Sequence, residues 1–317
     1  MNLTASDNAP QTLKWTDNMK QTAYAKINLF LKICGRYDNG YHKLFMLMQQ
    51  IGIGDEIEIV FDPDRDFDID IESEVGIAKE KDLGYRAARA FYDRLQSKGT
   101  DKKDIPYTLI KEVKHTPSQA GLGGGSSDAA SVLKMLQEYF GDPLTEEELI
   151  ETAAGLGADV PFFIKGGTCF CEGVGEIVTE LPGLKGVPVI LVKPEGGVST
   201  PECYALSDKN EITYTDDYKA KMTRIFTDQS KRPSERIKEA GEDLINDLQD
   251  PAIKILPVIE DVTDAVNETG SVFTAMTGSG SCVFGIFEDE ISRDNAERSL
   301  KKDPRTKDSL IISTVMT

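Results

Sequence analysis

Pro117 to Ala130 reads P-S-Q-A-G-L-G-G-G-S-S-D-A-A, a glycine-dense turn that feeds straight into a helix striped by Ala129, Val132, Leu133, Leu136 and Phe140. Four glycines let the backbone turn its amides inward, and the helix start adds unpaired N–H donors and positive dipole. Ser126 and Ser127 place hydroxyls at that start, suited to phosphoryl oxygens or to a metal ion. A Gly-Ser run alone also describes a linker, but the strong helix behind this one points to an anion site. It is not a Walker A loop: the only similar spacing, Gly35 to Gly40, is followed by Tyr41 and His42. Nor is it the dinucleotide fingerprint, because Ser126 stands three residues after Gly123.

The charge balance limits what that anion can be. Fifty-four acidic residues against thirty-six basic ones leave a formal net charge of −18. A nucleic acid or an anionic membrane needs a basic face, so neither is an expected partner. A small anionic molecule remains open, since salt screens distant charge beyond roughly 8 Å and local amides and lysines can dominate a site. With 39% apolar and 28% charged residues the composition is that of a globular protein. Five scattered cysteines read as reduced thiols, and two histidines make a zinc site improbable. The polar first eighteen residues lack a signal-peptide core, and no apolar run reaches a membrane span, which makes the cytoplasm the default.

At 317 residues, two domains are expected. Residues 1–18 read as a disordered tail. From Ala23 to Ile33 the chain alternates, with Ala23, Ala25, Ile27, Leu29, Leu31 and Ile33 on one face of a half-buried strand and Tyr24, Lys26, Asn28, Phe30 and Lys32 on the other. Ile57 to Phe61 marks another strand, with Phe67, Ile69 and Ile71 as its expected partner. Helical spacing follows over Leu83 to Leu95, then a strand over Tyr107 to Val113. Thr145 and Glu148 form a capping box for a further helix. After Gly183 the chain restarts with the apolar strand Val187 to Val192, which places a boundary near 183/184. Helical patches at Ile255 to Val266 and Asp294 to Leu300 alternate with strands at Ser271 to Met276, Cys282 to Phe287 and Leu310 to Val315, giving an α+β order overall. The polar run from Ser207 to Arg236 has no assignable pattern.

Several single residues carry candidate chemistry beside an ordinary structural reading. Lys26 and Asn28 share one strand face and could enter a cleft, although a lone strand lysine is more often solvated. Asp159, in L-G-A-D-V-P-F-F, has the position of a helix N-cap. Phosphoryl transfer needs such a pair, a carboxylate to orient the attacking hydroxyl and a cation for developing charge. His42 could read a base edge while Tyr41 stacks on the base. Met276 to Ser281, M-T-G-S-G-S, is either a hairpin or a ligand-facing loop. No set of metal ligands is legible.

The run G-L-G-G-G-S-S-D-A-A resembles the phosphate loop of the GHMP kinases, a family that includes galactose, homoserine, mevalonate and phosphomevalonate kinases. Other segments agree in order: A-K-I-N-L-F-L from Ala25, D-N-G-Y-H from Asp38, G-A-D-V-P-F-F from Gly157, G-V-S-T from Gly197, N-D-L-Q from Asn246 and G-S-G-S-C-V-F-G from Gly278. They sharpen the match toward members acting on cytidylated methylerythritol in non-mevalonate isoprenoid synthesis. A mevalonate- or homoserine-type kinase is the alternative, disfavoured because those substrates offer no base for Tyr41 and His42.

The resemblance implies a two-domain α+β GHMP kinase fold with the active site in the inter-domain cleft, residues 19–183 binding ATP and 184–317 forming the C-terminal domain. It implies Lys26 and Asp159 as the catalytic pair and ATP with Mg²⁺ as donor. Pro117, Ser118, Gln119, Ala120, Gly121, Leu122, Gly123, Gly124, Gly125, Ser126 and Ser127 would cradle the phosphates. Asn28, Tyr41, His42, Lys43 and Tyr204 would bind the small-molecule substrate, in a monomer or weak homodimer. Two departures stand out: Gln119 where many members carry glycine, and Asp82 where asparagine is usual.

Overall fold

The computed structural model describes residues 18–74, 76–208 and 214–317. The expected tail falls outside these except for its last residue, Asn18. The first sheet contains β1 (Met19–Arg36), β2 (His42–Asp62), β3 (Ile69–Ser73), β4 (Tyr107–Val113), β5 (Thr168–Gly173) and β6 (Ile177–Glu180). Its order is β3-β4-β2-β5-β6, with β1 paired along the other edge of β2. β2 is long enough to serve two partners on one edge, β5 over Leu44 to Gln49 and β4 over Glu56 to Asp62. The strand expected to pair with Ile57 to Phe61 instead lies parallel to β4, one position further out.

Helices α1 (Leu83–Ser97), α2 (Gly124–Tyr139), α3 (Glu146–Ala154) and α4 (Val160–Lys165) belong to this half of the chain. The capping box of α3 is present, Thr145 accepting from the Glu148 amide and Glu148 accepting from the Thr145 amide. The second sheet, order β10-β7-β9-β8, is built from β7 (Pro188–Lys193), β8 (Phe273–Met276), β9 (Val283–Ile286) and β10 (Leu310–Val315), all antiparallel. Around it lie α5 (Thr200–Ser207), α6 (Asp216–Thr227), α7 (Pro233–Ala240), α8 (Gln249–Ile255), α9 (Val258–Asn267) and α10 (Glu290–Leu300). The patternless polar stretch thus contains α6 and the first half of α7. Met222, Ile225 and Phe226 within it are buried, as is Ile237 directly after it.

β1 departs from the expected alternation, and the departure builds the site. Its register against β2 shifts between Tyr24 and Lys26 and again between Asn28 and Phe30. A bulge moves side chains to the opposite face, so Ala23, Leu31 and Ile33 join one core while Ala25, Ile27, Leu29 and Phe30 join another. Both faces are covered from Ala25 to Ile33, Lys26, Asn28 and Lys32 included. The half-buried reading fails because period-2 patterning cannot see a second layer arriving from elsewhere in the chain. That layer includes Leu191, Phe284 and Phe226, so this core takes residues from both sides of Gly183. Isolated bridges Leu31 to Asn246 and Ile51 to Met316 also join the two halves.

Candidate active site

The glycine loop is held from both halves. The Lys26 amide donates to the Leu122 carbonyl at 3.0 Å, while the Ser281 and Cys282 amides reach the Gln119 and Ala120 carbonyls, each at 3.3 Å. Gly121 needs its missing side chain: at φ +73° a Cβ there would lie 2.0 Å from the Thr277 carbonyl oxygen. Gly123, also at φ +73°, caps α2 with no side-chain hydrogen bond, which leaves the first amides of that 16-residue helix for a ligand. Gln119 takes the left-handed conformation at φ 50°, the reason glycine suits this position. Pro117 to Gly125 line a cavity of about 390 Å³ together with Leu83, Asp82, Glu112, Lys114 and Asp128. Ser127 is buried and donates to the Tyr24 carbonyl at 2.7 Å, tying α2 to β1, whereas Ser126 opens onto a second cavity.

On the wall of this cavity, Lys114 bridges Asp55 and Asp128. Asp55 is fully buried and accepts the His115 and Thr116 amides at 2.6 and 2.7 Å. Burial pushes the Asp128 carboxyl up to about 8 and that of Glu112 up to about 7, the latter helped by Asp82. For Asp55, burial acts in the same sense, but Lys114 and the two amides outweigh it and hold its carboxyl below the usual range. One ammonium cannot compensate three buried carboxylates, so the cluster keeps protons near neutral pH. Asp82 caps α1, accepting the Gly84 amide at 2.8 Å, a role that aspartate and asparagine fill equally well.

The second cavity, also about 390 Å³, shares Gln119 and Gly121 with the first. Lys26 enters it from β1 although the residue is only 3% exposed. A buried ammonium requires compensation, which Asn28 Oδ1 gives at 2.5 Å and Asp159 Oδ2 at 3.6 Å. Asp159 does occupy the N-cap of α4, yet its side chain makes no capping hydrogen bond and remains about one-third exposed on the cavity wall. Ser126, Thr200 and Tyr204 share that wall with Gly278, Ser279 and Gly280, so the M-T-G-S-G-S turn is the β8–β9 hairpin and also faces this cavity.

The remaining candidates divide. Tyr204 lines the second cavity, and the His42 ring stacks on it at 4.7 Å and 24°. His42 Nε2 pairs with Asp208 Oδ1 at 2.7 Å, which backs Tyr204 from outside the cavity. Tyr41 is 64% exposed and lines a neighbouring cavity of about 620 Å³ that shares Ala158 and Val174 with the second. Lys43 lies apart, its ammonium 4.8 Å from the Tyr37 ring. Sequence reasoning missed Lys114, Asp128, Glu112 and Thr277. Lys114 was within reach, as a cation three residues ahead of the loop; Thr277 carried no signal beyond its turn.

Against this geometry, a model of the GHMP kinases N terminal domain matches residues 82–167 and one of the GHMP kinases C terminal domain matches 230–305. The 4-diphosphocytidyl-2-C-methyl-D-erythritol kinase of Clostridium beijerinckii is 35% identical over 298 residues, 94% of this chain and all of the relative. That of Desulfitobacterium hafniense is 40% identical over 282 residues, 86% of this chain and 89% of the relative. A crystal structure of 4-(cytidine 5'-diphospho)-2C-methyl-D-erythritol kinase superposes with a TM-score of 0.73 at 28% identity, covering 94% of this chain and 99% of that one. A homoserine kinase from Cytophaga hutchinsonii gives the same TM-score at 17% identity, with 98% and 97% covered, a likeness of fold alone. The chain belongs to the GHMP kinases and, within them, to the 4-diphosphocytidyl-2-C-methyl-D-erythritol kinase family. The α+β, two-domain expectation holds at that level. Among the described residues no helix is long and apolar enough to cross a membrane.

Proposed function

We propose that this kinase transfers the γ-phosphoryl group of ATP to the 2-hydroxyl of 4-(cytidine 5'-diphospho)-2-C-methyl-D-erythritol, in non-mevalonate isoprenoid precursor synthesis. The observation that carries the reading is the junction of two cavities at Gln119 and Gly121, one walled by the glycine loop and the other by Lys26 and Asp159. A donor phosphate held by the loop amides then points at an acceptor held beside a carboxylate and an ammonium. Asp159 takes the hydroxyl proton, and Lys26 stabilises charge on the transferring group; in-line transfer needs little more than such positioning. Tyr204, backed by His42, offers a face to the cytosine, with Asn28 and Tyr41 completing the substrate contacts.

Among the described residues no group of three or more His, Cys, Asp or Glu side chains could hold a metal. The Ser126 hydroxyl on the cavity wall would be the protein group to hold a Mg²⁺ ion brought in with ATP. Bound there, it supplies neutralising charge. We assign residues 19–183 and 184–317 to the two domains and place the enzyme in the cytoplasm as a monomer or weak homodimer. A coupled ADP-release assay tests the function: turnover with the cytidylated substrate and none with methylerythritol phosphate or mevalonate is expected. Equal turnover of mevalonate sinks the assignment.

A further inference from the structure

The N-D-L-Q run reaches the acceptor cavity only through Leu248, yet its first residue uses every polar atom of its side chain. Asn246 is buried; its Nδ2 donates to the carbonyls of Met276 at 2.7 Å and Gly278 at 2.8 Å, and its Oδ1 accepts from the Leu248 amide at 3.0 Å. The backbone on either side is fastened to β1, with the Leu31 amide donating to Ile245 at 3.0 Å and the Asp247 amide donating to Leu31 at 2.9 Å. The Asp247 carboxylate accepts from Lys32 Nζ at 2.7 Å and from the Ile33 amide at 2.8 Å. Asn246 therefore ties the β8–β9 turn to the strand that carries Lys26 and Asn28.

Between the two clamped carbonyls stands Thr277, fully buried. Its Oγ1 accepts the Asn28 amide at 3.0 Å and lies 3.2 Å from the Gly121 carbonyl and 3.4 Å from Asn28 Oδ1, either of which can take its single proton. Asn28 Oδ1 in turn accepts from the Lys26 ammonium. An ammonium on a four-carbon stem has rotatable donors and no fixed direction of its own, so its place is set by acceptors that are themselves held.

We propose that Asn246 is a positioning residue for phosphoryl transfer: by clamping the carbonyls on both sides of Thr277 it fixes that hydroxyl against Asn28, and so sets where the Lys26 ammonium stands. The proposal rests on the catalytic reading of Lys26 given above. Loss of an asparagine that only stabilises the turn would lower thermal stability and leave the turnover of the folded enzyme unchanged.

The test is steady-state kinetics with ATP and the cytidylated substrate for Asn246→Ser, Thr277→Val and the double variant. Each single change is expected to lower kcat about 10- to 100-fold, with both KM values within about threefold. Thr277→Ser, which keeps the hydroxyl, is expected to restore near-native kcat. Residues acting along one path are not additive, so the double variant should lose no more than the worse single one. Multiplying losses, or native kcat in folded Asn246→Ser, overturn the proposal. If Asn246→Ser does not fold, native kcat in Thr277→Val overturns it instead, and a loss that Thr277→Ser restores supports it. Lys26→Met separates the two levels. Native turnover there means the catalytic reading has failed, whereas a dead Lys26→Met beside multiplying losses rejects only the part given to Asn246.

Discussion

The two cavities that meet at Gln119 and Gly121 are built in opposite ways. The nucleotide cavity takes its wall mainly from one continuous segment, Pro117 to Gly125, and the acceptor cavity takes residues from Lys26 to Gly280. In the proposed reading, backbone amides and a helix start would do the binding in the first, which needs glycine more than any particular side chain. In the second, the proposed chemistry falls to single side chains from several elements, Lys26 and Asn28 from β1, Asp159 from the start of α4 and Tyr204 from α5. Damage at the nucleotide wall should therefore act through backbone geometry and ATP affinity. Damage at the acceptor wall should act on turnover and on affinity for the acceptor.

Asp159→Asn gives the largest effect expected. Losing a proton acceptor should lower kcat by about 10²- to 10⁴-fold, with ATP affinity unchanged by calorimetry. The side chain makes no cap bond but compensates the buried Lys26 ammonium, so the melting temperature should fall modestly rather than collapse. A large drop in ATP affinity would blur the division between the cavities. Gly121→Ala comes next. A left-handed alanine facing the Thr277 carbonyl should cost roughly 2–4 kcal/mol of stability in denaturant titration and raise the KM for ATP; native values for both would contradict the packing described.

Tyr204→Ala should raise the KM for the cytidylated substrate about tenfold, the scale of one lost base stack, with the KM for ATP unmoved. The smallest effect concerns pH. Asp128 and Glu112 hold protons in the folded state up to about 8 and about 7, above their ordinary values of 3.8 and 4.5. Between those limits the unfolded chain binds fewer protons, so their contribution to stability falls as pH rises from 5 to 8. Asp55, whose carboxyl is lowered, loses its contribution only in stronger acid, outside that window. Melting curves across pH 5 to 8 should decline, and Asp128→Asn should flatten them; an unchanged slope would remove the shared-proton account of the cluster.

The glycine loop and its helix, the capping box at Thr145 and the strand at Tyr107 were legible because each rests on neighbours in sequence. The burial of Lys26 was not. A lysine on an alternating strand reads as solvated, and only the second layer over β1, together with Asn28 and Asp159, turns it inward. His42 was visible as a candidate, but its stack on Tyr204, 162 positions away in the chain, was not.

By itself the sequence determined the local shapes: which stretch turns tightly, which helix starts behind it, and which apolar stripes seek a core. Local propensity and periodicity act over a few residues, and those features need nothing more. The tertiary structure decided which charges share a space. The bulges in β1, the second sheet packed across it, and the Asn246 clamp on a distant turn bring a lysine and an aspartate 133 positions apart to 3.6 Å. Contacts of that kind depend on how whole layers pack, and no window of sequence contains both partners.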